Sequence, residues 1–120
     1  MAFSKLTEFR AHEQHTALIC QALSHPVRIR MVSRLIQRKD STLDYDTLVA
    51  NIPLKGTTIS QHIGYLRKRG IIEFGKENSQ YVYRLVTKNK HILDCIYAII
   101  AMSDHLSDQN LDKELGRMIA

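Results

Sequence analysis

Four polar side chains share one side of a single predicted helix, which spans about residues 57–69. They are Thr58, Gln61, His62 and Tyr65, and they lie opposite the apolar stripe of that helix. Glutamine can pair with adenine through two hydrogen bonds, and threonine can contact a base edge, a phosphate or the thymine methyl group. Such a face suits the reading of bases in a DNA groove. His62 could instead be a packing residue, but its polar neighbours favour exposure in the groove.

Further residues able to bind phosphate surround this face. The helix begins near Thr57 and Ser60, where free backbone N–H groups attract anions. A polar loop over 75–80 follows the helix and could reach the minor groove or phosphates, although Glu77 weakens its attraction for DNA. The predicted DNA-binding residues are therefore Lys55, Thr57, Thr58, Ser60, Gln61, His62, Tyr65, Lys68, Arg69, Lys76, Ser79 and Gln80.

The positive charge of the chain is concentrated around these residues. The sequence has 17 lysines and arginines against 12 acidic residues, a net charge of +5. Segment 55–88 alone holds seven basic and two acidic side chains, so it carries as much net charge as the whole chain. Concentrated positive charge favours polyanions because binding releases their counterions.

The elements that would position these residues follow from apolar periodicity and turn residues. Helices are predicted over 3–23, 26–38, 45–51, 57–69, 88–106 and 107–119, and strands over 71–74 and 81–86, with a hairpin loop over 75–80. Ser24 can cap the second helix, Asp44 or Asp46 the third, and Gly70 ends the fourth in a left-handed conformation. A short strand could close the connector 39–43. A short helix, a tight turn, a second helix and a hairpin form a winged helix-turn-helix, so the fold class is mainly α with a small β-hairpin (α+β).

Length and composition exclude several classes of protein. A chain of 120 residues with 44% apolar residues forms one domain, 1–120, with one core. Two cysteines do not make a disulfide-stapled scaffold, no secretory signal is recognisable, and run 92–102 is too short to cross a bilayer. We therefore expect a soluble cytoplasmic protein with no membrane partner. No Gly-rich phosphate loop or Ser/His/acid spacing is present, so we expect neither an enzyme nor a cofactor.

Three segments resemble the ArsR-type winged-helix repressors. They are ALSHPVRIRM at 22–31, TISQHIGYLRKRGII at 58–72 and YVYRL at 81–85, within a resemblance that covers roughly residues 18–100. The resemblance implies a homodimeric repressor that binds double-stranded DNA and leaves it when an effector binds. It also implies dimerisation through the first helix and the helix after the hairpin.

The predicted dimer surface flanks the DNA-binding core. Segments 1–24 and 88–120 would form the dimerisation helices around a winged core at 26–87. Residues 92–102 are apolar on nearly all sides, more than one small core needs, which favours a partner surface. The predicted interface residues are Phe9, Leu18, Ile92, Ile96, Ile99 and Ile100.

No effector site can be assigned from the residues, although many relatives sense metals. The third helix lacks the thiols of one family site, and only His91 and His105 stand at ligand positions of another, so we predict no metal unless nearby aspartates form a rearranged site. Cys20 and Cys95 are expected to be buried structural thiols, because free cysteine behaves as a small hydrophobe. The alternative is a redox-sensing pair like that of some relatives, but Cys20 lies upstream of their position, and a disulfide would need Cα atoms within about 7 Å. The effector stays unidentified.

The sequence is also compatible with a second function. The chain could be a winged-helix protein-interaction module whose basic patch meets an acidic protein, without specific DNA reading. Competition with random duplex DNA would distinguish this module from a sequence-specific regulator.

Overall fold

The computed structural model describes residues 8–107 and 111–119. Within them, the elements are α1 (Ala11–Ala22), α2 (Pro26–Gln37), β1 (Thr42–Leu43), α3 (Tyr45–Val49), α4 (Gly56–Lys68), β2 (Ile72–Glu77), β3 (Gln80–Leu85), α5 (Lys90–Leu106) and α6 (Asp112–Ile119). The three strands form one antiparallel sheet in the order β1-β3-β2. The predicted fold class is confirmed, with β1 as the third strand.

The helix α1 does not extend back through residues 8–10, although the predicted first helix covers them. The Glu13 carboxylate accepts a hydrogen bond from the backbone N–H of Arg10 at 2.9 Å, so the helix begins at Ala11. Residues 8–10 are not helical, and the predicted start at residue 3 lies outside the described residues. A capping carboxylate three residues into the helix is the local signal that sets this boundary.

The predicted cap of the second helix is wrong by one residue. The Nδ1 atom of His25 accepts a hydrogen bond from the N–H of Val27 at 3.1 Å, and Pro26 occupies the first helical position. The Ser24 hydroxyl instead donates to the carbonyl of Gln21 at 2.7 Å and so closes the end of α1. His25 therefore caps α2, a role that its residue type does not predict.

The two helices of the helix-turn-helix have clear boundary signals. The Asp44 carboxylate accepts from the N–H of Thr47 at 2.8 Å, which makes Asp44 the cap of α3. Gly70 has a φ of 74°, and the N–H of Ile71 donates to the carbonyl of Leu66 at 3.0 Å. This is the expected left-handed helix end, and it turns the chain directly into β2.

The hairpin, which we call the wing, consists of β2 and β3. Its strands pair from Ile72 opposite Leu85 to Glu77 opposite Gln80. The turn is confined to Asn78 and Ser79, both with positive φ, as a two-residue hairpin turn requires. The predicted loop over 75–80 was too long, because Lys76 and Gln80 belong to the strands.

One core lies under the sheet and between the helices. Its buried residues are Ile19, Ala22, Leu23, Val27, Met31, Val32, Leu35, Leu43, Leu48, Ile59, Ile63, Leu66, Ile71, Ile72, Leu85, Ile96 and Ile100. The α2 helix packs against α3, α4, α5 and β3, so it connects the helix-turn-helix to the remainder of the chain.

Two predicted interface residues belong to this core. Ile96 is 0% exposed and Ile100 is 2% exposed, because α5 turns this side toward α1 and α2 of its own chain. The prediction that they contact a second copy is therefore wrong. Phe9 and Leu18 are exposed, whereas Ile92 and Ile99 are half-buried against the core.

The C-terminal helix α6 contributes no buried residue. Its start was predicted at residue 107, but residues 108–110 lie outside the described part of the chain. Leu115, Met118 and Ile119 are exposed on it. Of the helices that the structure describes, none combines the length and apolar character needed to span a bilayer.

Candidate nucleic-acid interface

The α4 helix has a buried side and an exposed side opposite it. Ile59, Ile63 and Leu66 are buried in the core. Opposite them lie Thr57, Gln61, Gly64 and Lys68, all exposed, which we call the recognition ridge. Ser60 is exposed beside the ridge, and Lys55 is exposed at the start of the helix, where its side chain makes no capping hydrogen bond. These short polar and basic groups can reach a partner without first leaving an internal contact.

The observed polar face is rotated relative to the predicted one. Thr58, His62 and Tyr65 were predicted on that face and Arg69 further along the helix, yet all four are only partly exposed. They form the side of α4 that faces α2, because α2 packs directly against α4. The most exposed side of α4 is instead the one that carries Thr57, Gln61, Gly64 and Lys68.

His62 packs against a residue of α2. Its ring lies with its centroid 4.2 Å from that of His25, at an interplanar angle of 44°. The structure thus supports the alternative in which His62 packs within the protein, while the ring stays partly accessible at the edge of the ridge. His62 therefore links the cap of α2 to the middle of α4.

Tyr65 is held by two arginines on the same side. The guanidinium carbon of Arg28 lies 4.1 Å from the ring centroid and that of Arg69 lies 5.1 Å from it. Cation–π contacts of this kind attract guanidinium groups to an aromatic face. The Arg69 guanidinium beside the phenol lowers the pKa of Tyr65. Arg28 and Arg69 thus keep their charges close to α4.

The cationic surroundings also affect His62. Burial, followed by the electrostatic effect of the neighbouring His25 and Arg28, lowers the pKa of His62 below its ordinary value. The unfolded chain therefore binds a proton at a higher pH than the folded chain does. The stability associated with neutral His62 is complete above about pH 6.5 and is lost as the pH falls from there through the lower pKa of the folded state.

We expect His62→Gln to reduce the acid sensitivity of folding. Between about pH 7.5 and pH 5, the free energy of unfolding of the wild type should fall more steeply than that of the variant, because only the wild type takes up this proton. Urea unfolding followed by circular dichroism at several pH values measures both slopes. His91→Gln removes an exposed histidine of α5 and is the control. Parallel pH profiles for wild type and His62→Gln would contradict the assignment.

The other side of α4 meets the wing. The guanidinium carbon of Arg67 lies 5.5 Å from the ring centroid of Phe74. Phe74 stacks on Tyr81 with centroids 5.2 Å apart, and the Lys76 ammonium lies 5.5 Å from the Tyr81 centroid. Sequence reasoning did not place Arg67 or Phe74 in the site. The alternation of strand residues could have indicated that Phe74 lies next to α4. It puts Phe74 and Lys76 on the same face of β2 as Ile72, which is buried in the core.

The acidic residues of the wing form ion pairs with Arg84. Its guanidinium lies 3.8 Å from the Glu73 carboxylate and 3.4 Å from the Glu77 carboxylate. Gly75 allows this arrangement, since a Cβ atom there would lie 3.1 Å from the Arg84 guanidinium. Glu77 therefore repels a polyanion less than its position near the wing tip suggests. Lys76, Ser79 and Gln80 are exposed at this end of the wing.

The two histidines that were considered as metal ligands lie far apart. His91 and His105 are both exposed on α5, where 14 residues of helix separate them by about 21 Å. Across residues 8–107 and 111–119, no three His, Cys, Asp or Glu side chains are arranged to hold a metal ion. Cys95 is half-buried, but Cys20 is exposed, so the expectation of two buried thiols is wrong for Cys20. Both thiols are free.

Comparison with known proteins places this geometry in a family. No family model matches the chain. A "Biofilm growth-associated repressor" of Agrobacterium fabrum is 33% identical over 93 residues, which cover 77% of this chain and 75% of that protein. The solved structure of the transcriptional repressor BigR from Xylella fastidiosa is 25% identical, with a TM-score of 0.60, over 85% of this chain and 96% of that one. An ArsR family transcriptional regulator shares the fold, with a TM-score of 0.55 at 19% identity over 82% of this chain and 95% of that one. The chain belongs to the ArsR-type family of winged helix-turn-helix transcriptional regulators.

Proposed function

We propose that the chain is a repressor that binds double-stranded DNA in the cytoplasm as a homodimer. The observation that carries this proposal is the recognition ridge, a row of exposed short polar and basic side chains on the second helix of a helix-turn-helix, with a wing beside it. A helix in this position enters the major groove. Two copies would place their α4 helices about 34 Å apart on a pseudo-palindromic operator.

Different parts of the surface would make different contacts. Gln61, at the centre of the ridge, would read a base edge, because its amide can donate and accept at adenine. Phosphates would be held by Lys55, Thr57, Ser60 and Lys68, which are exposed around it. Thr58, His62, Tyr65 and Arg69 would contact the strand that runs along the α2 side, and Lys76, Ser79 and Gln80 would follow the neighbouring groove.

The dimer would form through α1 and α5, which pack together. Along α5, Cys95, Ile99, Met102 and Leu106 recur at the spacing of one helical stripe. Met102 is 59% exposed and Leu106 is 36% exposed, so this stripe extends the apolar surface beyond the core of one chain. Leu18 of α1 adds a further exposed apolar side chain. We propose this stripe in place of Ile96 and Ile100.

Gln61→Ala and Lys55→Ala should affect DNA binding differently. The operator would first be selected from a random duplex pool, and affinities for it and for random duplex would then be measured by fluorescence anisotropy. Gln61→Ala should lose about tenfold in affinity for the operator and little for random duplex, because it removes a base contact. Lys55→Ala should weaken both to a similar degree, because it removes a phosphate contact.

The salt dependence of the same binding tests the electrostatic part of the proposal. The logarithm of the affinity should fall linearly with the logarithm of salt concentration, with a slope set by several phosphate contacts per dimer. An affinity independent of salt, or equal losses by both variants on both duplexes, would contradict these roles. If the wild type stays bound to an acidic protein when duplex DNA is added in excess, that result would favour the protein-interaction module.

A further inference from the structure

Gly64 lies in the middle of α4, where glycine is unfavourable. Glycine lowers helix stability relative to alanine, because its unfolded backbone has more conformations to lose. A glycine inside a helix is often explained by a neighbouring element that leaves no room for a side chain. At Gly64 that explanation fails, since an added Cβ atom meets no heavy atom within 4 Å outside its own stretch of helix. The packing of this chain therefore does not require a glycine here.

The position of Gly64 supplies a different reason. It lies on the recognition ridge and lines a groove of about 440 Å³ between α4 and β2. The other lining residues are Arg67, Lys68, Ile72, Glu73 and Phe74. A side chain at residue 64 would project into this groove. The glycine thus leaves the groove open between the recognition helix and the wing.

The groove walls differ in character. Arg67 and Lys68 provide two positive charges, and neither belongs to an ion pair among the residues that the structure describes. Phe74, which is 41% exposed, provides an aromatic ring next to Arg67. The Glu73 carboxylate lies 3.8 Å from the Arg84 guanidinium, which offsets its charge. Cations beside an apolar face match a nucleic-acid strand, whose phosphates are anionic and whose deoxyriboses are largely apolar.

We propose that Gly64 makes room for one sugar-phosphate strand of the bound duplex, which lies in the groove between α4 and β2. A phosphate is held by Arg67 and Lys68, and a deoxyribose packs against Phe74. The inference rests on the proposed DNA binding and adds a subsite to it. A methyl group at residue 64 would hold the strand away from the helix and would also draw Gln61 back from the base edges.

The test compares two glycines of the same kind. Gly64→Ala is matched by Gly116→Ala, because Gly116 also lies inside a helix with no heavy atom near an added Cβ atom. Both variants should raise Tm, since alanine is the better helix former. Only Gly64→Ala should weaken binding to the selected operator, by about tenfold, the size of one lost contact, and Gly64→Leu should weaken it further. Stability and DNA affinity should therefore change in opposite directions at this position alone.

A second measurement locates the strand. Operator duplexes carrying one neutral methylphosphonate linkage at a time should bind the wild type more weakly at one linkage per half-site. Arg67→Ala should no longer be sensitive to that linkage, because the phosphate has lost its partner.

The outcomes separate the two proposals. A wild type that binds no duplex would end the proposed function. A wild type that binds its operator, together with a Gly64→Ala variant of equal affinity, would end only the present inference. A lower Tm for Gly64→Ala, or equal losses of affinity at both glycines, would also overturn it.

Discussion

Met102→Glu should convert the dimer that we propose into a monomer and weaken its binding to a two-half-site duplex by about a hundredfold or more. Met102 is the most exposed member of the α5 stripe that we propose as the dimer seam. A carboxylate there would be buried without a partner when two copies meet, and this is costly. The loss is large because a monomer engages one half-site at a time and forgoes the high effective concentration of the second copy.

Tyr97→Glu is the matched control for this variant. Tyr97 is also a large, exposed apolar residue of α5, but it lies about 140° around the helix from Met102. Sedimentation equilibrium should show a monomer for Met102→Glu and a dimer for Tyr97→Glu, and anisotropy titrations should show the parallel difference in affinity. Dissociation of Tyr97→Glu alone would move the interface to the opposite side of α5. Dimers for both variants would exclude α5 as the seam.

Lys68→Glu should weaken binding to operator and random duplex alike, by about a hundredfold. Lys68 is exposed on the recognition ridge, so the change leaves the core untouched. It replaces a cation that offsets a phosphate with an anion that repels it, and it does so twice in a dimer. The slope of log affinity against log salt should become shallower by about two, one for each copy.

Lys113→Glu makes the same change of charge elsewhere. Lys113 is exposed on α6, which contributes nothing to the recognition ridge. Its net charge equals that of Lys68→Glu, so a small effect on affinity would show that position, rather than total charge, is responsible. Equal losses for the two variants would mean that DNA responds only to the net charge of the chain, against the contact assigned to Lys68.

The parts of the fold that were predictable from the sequence depend on local signals. The end of α4 was correctly predicted, because an apolar stripe followed by Gly70 determines both the helix and its left-handed end. The sequence predicted that Asp44 or Asp46 caps α3, because an aspartate before an apolar helix is a local cap signal. Asp44 is the one that accepts the hydrogen bond. The order of the elements and the hairpin likewise came from apolar periodicity and turn residues, and the family resemblance agreed with them.

The parts that were not predictable depend on residues far apart in the chain. The polar face of α4 was placed too near His62 and Tyr65, because nothing local indicates that His25 and Arg28 of α2 pack against them. The apolar α5 helix posed a similar problem. A helix that is hydrophobic on most sides does not indicate which side faces its own core, so Ile96 and Ile100 were assigned to a partner surface.

The small strand β1 couples the wing to the start of α3. It pairs with β3, while Tyr45 at the start of α3 lies with its ring centroid 6.4 Å from that of Tyr83 in the wing. The wing and the helix-turn-helix are thus joined through one sheet. A displacement of the wing would therefore also disturb the start of α3, where Asp44 and Tyr45 follow β1 directly.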